Sequence, residues 1–66
     1  MQILVNGAPR ELSDDRTVEQ LLAELGCAPE GVAVAVNLAV VPRSQRALHR
    51  LRPGDRVEII QAVGGG

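Results

Sequence analysis

The chain has 66 residues, a formal net charge of −1, 45% hydrophobic residues and no aromatic side chain. That length holds one small domain near the lower limit for folding without a staple, and a single cysteine excludes an internal disulfide. The balanced charge and the lack of rings for base stacking argue against a nucleic-acid binder, the apolar runs are too short to span a bilayer, and Cys27 and His49 lack metal-ligand spacing.

Gln2 to Asn6 alternates around Ile3 and Val5 and reads as a strand. Asn6-Gly7-Ala8-Pro9 is expected to turn the chain, because Asn-Gly is a strong hairpin signal. Arg10-Glu11-Leu12 then returns as a short second strand, and Ser13 to Asp15 is a polar connector. Thr17 and Gln20 have the spacing of a capping box, in which each side chain answers a free backbone donor. Asp14 and Asp15 stand just before it, where negative charge suits a helix dipole. Val18, Leu21, Leu22 and Leu25 form an apolar stripe at helical spacing, and Gly26 is placed to end the helix.

Cys27 to Gly31 is a loop. Val32 to Asn37 alternates valine and alanine, which sends the valines to one face of a strand and the alanines to the other. Leu38-Ala39 is expected to turn, Val40-Val41 to make a short return strand and Pro42 to close it. Arg43 to Arg52 is an arginine-rich connector with room for one helical turn. Pro53-Gly54-Asp55 turns into a last strand, Arg56 to Val63.

A hairpin, a crossing helix and three further strands describe an α+β domain of the β-grasp, or ubiquitin-like, type. In it the first and last strands lie side by side at the centre of a mixed sheet, and the helix covers one face. The expected division is a folded domain over 1–63 and a flexible glycine tail over 64–66. The core must come from Val, Leu, Ile and Ala, at roughly 1.5–3 kcal/mol for each large side chain buried. The first residues lack the basic region and cleavage pattern of a signal peptide, and a lone thiol fits a reducing compartment, so a cytoplasmic location is expected.

The most informative chemistry lies at Gly64-Gly65-Gly66, directly after the last strand. Glycine has no Cβ, so such a tail can thread a narrow channel and present the Gly66 carboxylate to an enzyme. ATP converts a carboxylate, a poor electrophile, into an acyl-adenylate whose AMP leaves readily. A persulfide sulfur can then displace AMP on the way to a thiocarboxylate. On this reading the domain needs no catalytic side chain. The competing reading is a loose end, since termini often fray.

Met1-Gln2-Ile3-Leu4-Val5-Asn6-Gly7, Val34-Ala35-Val36-Asn37, Val41-Pro42-Arg43-Ser44-Gln45, Gly54-Asp55-Arg56-Val57-Glu58-Ile59 and Ala62-Val63-Gly64-Gly65-Gly66 together resemble the ThiS family, the sulfur carriers of thiamine biosynthesis. The resemblance covers essentially the whole chain. It implies a ThiF-type, E1-like adenylyltransferase that activates Gly66 with ATP, a sulfur donor protein, and a ThiG-type thiazole synthase that takes the sulfur. The carrier would hold no cofactor of its own. Two departures stand out: Asn37-Leu38-Ala39, where the family often has Asn-Gly-Glu, and Arg46, where it often has an aromatic. Both are expected in loops near the partner surface.

If Ile3, Val5, Val57 and Ile59 face the helix, then Leu4, Glu58 and Ile60 face away, together with Ala33 and Ala35. Leu4 and Ile60, with Ala62 and Val63 leading into the tail, are the expected partner contacts. Charge is uneven: residues 1–30 carry six acids and two arginines, residues 31–66 five arginines and two acids, which gives −4 and +3. Arg43, with Arg46, Arg50 and Arg52, either steers an acidic partner or forms a solvated loop. Cys27 reads as a small hydrophobe and His49 as idle, without a paired carboxylate.

Other readings share the fold. The small subunit of molybdopterin synthase and other thiocarboxylate carriers also end in Gly-Gly, but tend to be longer and to carry aromatics. A ubiquitin-like modifier would join Gly66 to a target lysine through an isopeptide bond. A plain interaction domain would not use its terminus at all.

Overall fold

Strands β1 (Gln2–Val5) and β2 (Ala8–Glu11) form the opening hairpin of the computed structural model, which describes residues 1–61. Helix α1 (Val18–Glu24) crosses the sheet, and β3 (Val32–Val36), β4 (Ala39–Val40) and β5 (Arg56–Gln61) complete it. The expectations placed on Ala62, Val63, Gly64, Gly65 and Gly66 lie outside the described residues. The sheet order is β2-β1-β5-β3-β4. β1 and β5 run parallel at its centre, while the other neighbours are antiparallel. This is the β-grasp arrangement expected from the element order.

Both hairpins differ from expectation at their turns. Ala8 and Pro9 belong to β2, not to the turn. Pro9 lies opposite Leu4, whose N–H donates instead to the carbonyl of Asp55 at 2.9 Å on the other side of β1. Proline is therefore tolerated on this outermost strand, because no ladder donor is required of it there. The second hairpin turns at Asn37-Leu38, not at Leu38-Ala39, and β4 begins one residue early. Both turn residues have positive φ, 51° and 71°, as a two-residue type I′ turn requires. This register pairs Ala35 with Val40. Val41 then donates to Val34 at 2.8 Å and is buried.

The start of α1 closes every free donor. Thr17 Oγ1 accepts from the N–H of Gln20 at 3.2 Å, and the side chain of Gln20 accepts from the N–H of Thr17 at 2.9 Å. The two donors in between go elsewhere: Val18 to the carbonyl of His49 and Glu19 to the carbonyl of Arg46, at 3.0 and 3.1 Å. The arginine-rich connector, with its single 3-10 turn at Arg43–Gln45, is thus docked on the helix start. At the other end Gly26, at φ 74°, donates to Ala23 and Cys27 donates to Leu22, the two bonds of a Schellman cap. Asp15 is taken by an ion pair to Arg50 at 3.2 Å.

The core lies between α1 and the inner face of the sheet. Ile3, Val18, Leu21, Val34 and Val57 are its most deeply buried side chains, and Leu12, Leu22, Val36, Val41 and Leu51 surround them. Every member is aliphatic, as the composition required.

Candidate functional site

β5 is the last described element before the terminal glycines in the sequence, so the contacts that hold it come first. On one side it has a full antiparallel ladder to β3, from Val36↔Val57 to Val32↔Gln61. On the other side β1 accompanies it only through Leu4 and Val5. There the chain turns away at Asn6, φ 50°. The backbone N–H of Asn6 still reaches the carbonyl of Val57 at 2.8 Å, and its carboxamide then takes over the ladder. Asn6 Oδ1 accepts from the N–H of Ile59 at 2.8 Å, and Asn6 Nδ2 donates to the carbonyl of Ile59 at 3.2 Å. The side chain stands in for the strand that has left.

Asn37 does the same at the beginning of β5. Its Oδ1 accepts from the N–H of Arg56 at 3.0 Å and its backbone N–H donates to the carbonyl of Arg56 at 2.8 Å. Its Nδ2 donates to Asp55 Oδ1 at 3.0 Å, and Asp55 Oδ2 accepts from the N–H of Arg52 at 2.8 Å. Sequence reasoning read Asn6 only as a turn former and gave Asn37 no role. The available signal was an asparagine ending each β-branched run, a residue that accepts positive φ and carries a peptide-like amide.

The outer face of the sheet is as the alternation placed it. Leu4 is half-buried and Ile60 is 69% exposed. Ala33 lies beside Ile60, and Ala35 beside Glu58. Leu4 is next to Arg56, four residues before Ile60 in β5, a separation of about 13 Å along the strand. Glu58 stands between them, so the two apolar residues share a face without forming one patch. Leu38, Leu4, the Asn6-Gly7 turn, Arg56 and Glu58 enclose a shallow concavity of about 530 Å³ on that face.

Of the basic stretch, Arg43, Arg46 and Arg50 have partners within the domain. Arg43 is exposed and pairs with Glu30 at 3.3 Å, beside the loop that follows α1, so it is not gathered with Leu4 and Ile60. Arg46 corrects the expectation of a surface loop residue. It is 6% exposed, and its guanidinium donates to the carbonyls of Pro29 and Val32. Cys27 is partly buried and its Sγ accepts from Gln61 Nε2 at 3.3 Å. His49 contributes its carbonyl to the helix start, and its ring makes no hydrogen bond among the described residues. No cluster of metal-ligating side chains occurs among the described residues, and no described helix is long and apolar enough to cross a membrane.

The ThiS family model matches residues 3–66. The sulfur carrier protein ThiS of Escherichia coli is 38% identical over 66 residues, covering the whole of both chains. A thiazole synthase of Paramagnetospirillum magneticum is 44% identical over 66 residues, all of this chain and 20% of that protein; this chain spans only a fifth of that relative's length. The crystal structure of the thiamine biosynthesis protein ThiS from Geobacter metallireducens superposes with a TM-score of 0.86 at 33% identity, covering both chains fully.

Proposed function

This chain belongs to the ThiS family, and from that premise we propose that it is the sulfur carrier of thiazole formation in thiamine biosynthesis. The observation that carries the reading is 38% identity with a sulfur carrier protein, over the full length of both chains. It acts as a protein co-substrate, not as a catalyst.

The working group is the carboxylate of Gly66, on a tail of Gly64 and Gly65. An adenylyltransferase of the ThiF type directs a carboxylate oxygen onto the α-phosphorus of ATP, and pyrophosphate leaves. The terminal sulfur of a donor's persulfide attacks the activated carbonyl and expels AMP, which gives an acyl disulfide. A thiol reduces that disulfide, and the chain end departs as a thiocarboxylate. Its sulfur then passes to a ThiG-type thiazole synthase. The relative in which a domain like this one is part of a thiazole synthase supports that partner. Leu4 and Ile60, with Ala62 and Val63, serve as enzyme contacts, and Arg43 as a charged contact at the periphery.

Intact-mass measurement after incubation with ATP, a persulfide donor, a thiol reductant and the adenylyltransferase tests the reading. The expected product is heavier by the difference between one sulfur and one oxygen. A chain whose terminal carboxyl is capped as an amide should gain nothing. Sulfur incorporation into the amide-capped chain overturns the proposal. Covalent adducts with other proteins that survive denaturing electrophoresis would favour a protein modifier instead.

A further inference from the structure

Leu38 carries two costs that nothing inside the domain recovers. Its φ of 71° lies in the left-handed region, where the Cβ of an L-residue crowds the following carbonyl. The second position of a type I′ turn favours glycine for that reason. Its side chain is also 87% exposed, the highest value among the exposed large hydrophobic residues described. Strain and apolar exposure at one position point to a role outside the fold.

The position fits that role. Leu38 caps a two-residue turn held by the Asn37 bonds to Asp55 and Arg56, so its backbone is fixed in advance of binding. It lines the concavity on the outer face together with Leu4, Arg56 and Glu58, the last two bringing one charge of each sign. A preordered apolar knob beside charged neighbours has the anatomy of an interface anchor.

We propose that Leu38 is a specificity-determining anchor that seats in an apolar socket on thiazole synthase. This rests on the carrier reading above. The concavity continues the sheet face assigned there to enzyme contact. The Paramagnetospirillum thiazole synthase, which is similar to this chain over a fifth of its own length, associates such a domain with that enzyme and favours it as the partner.

The test is titration calorimetry of the full chain with thiazole synthase from the same organism, for wild type, Leu38→Asn and Leu38→Gly, with melting temperatures read in parallel. Asparagine and glycine both accept the left-handed conformation, so neither variant should melt below wild type. Both should bind about tenfold more weakly or worse, as loss of an anchor does. Affinities within twofold of wild type overturn the proposal. So does weaker binding that accompanies a lower melting temperature, because Leu38 would then be supporting the fold. A loss confined to the adenylyltransferase, with synthase binding intact, overturns the choice of partner. If wild type itself does not bind the synthase, the partner assigned by the carrier reading fails along with the anchor; if wild type binds and the variants bind equally, only the anchor fails.

Discussion

Asn6 and Arg46 show how much a single polar side chain does in a core of aliphatics. The Asn6 carboxamide makes both bonds that a neighbouring strand would make to Ile59. Asn6→Ala removes them and leaves alanine at φ 50°. It should cost about 1–3 kcal/mol in urea denaturation and speed amide exchange at Ile59 with little change at Val57. Asn6→Asp keeps the acceptor for the Ile59 N–H and should cost less. Arg46 is a buried cation that makes no ion pair among the described residues, and its Nε has no hydrogen-bond partner among them. Its planar fork spans two carbonyls, those of Pro29 and Val32, and so ties the loop before β3 to the connector. Lysine presents one compact ammonium and cannot reproduce that fork. Arg46→Lys should lower the denaturation midpoint, by about 1–3 kcal/mol if one carbonyl is left unpaired. Neither role was legible in the sequence. Arg46 was marked out only by standing where the family often has an aromatic, and it is packing that buries it while leaving Arg43 and Arg50 exposed.

The secondary-structure elements were legible wherever local chemistry decides them. The capping box at Thr17 and Gln20, the Gly26 stop and the apolar stripe of α1 all fall where pattern and propensity placed them. Thr17→Ala removes one half of the box and should destabilise the domain by about 1 kcal/mol, read as a lower midpoint of the helical circular-dichroism signal. The loss should stay modest because the donors of Val18 and Glu19 are held by the connector and not by the cap. Element ends were less legible. The Asn37-Leu38 turn was missed because leucine is a poor residue for positive φ, so sequence preference moved the turn one position along. Pro9 was assigned to the turn on its usual preference. Its place in β2 depends on which way Leu4 directs its N–H, a fact about the whole sheet.

For the molecule as a whole, the carrier reading makes one face of the sheet responsible for recognition. Ile60 is 69% exposed and opposite Ala33, so Ile60→Asp should change stability by no more than about 0.5 kcal/mol. Under the proposal it should nevertheless slow adenylation several-fold, measured as kcat/KM for ATP–pyrophosphate exchange with the carrier as varied substrate. Unchanged kinetics in the folded variant would remove Ile60 from the contact surface. The inner and outer faces of β1, β3 and β5 followed from period-two alternation alone, because each strand is half-buried and a shift of one residue would expose every valine. The sequence by itself determined the element order, the helix limits and the sidedness of the strands, all of which are written in neighbouring residues. Tertiary structure alone decided how the two asparagines hold β5, where Arg46 is buried and what closes the helix start. Those contacts join groups as far apart as Asn6 and Ile59, 53 positions along the chain, and no local preference of either residue encodes a meeting that the folded backbone has first to bring about.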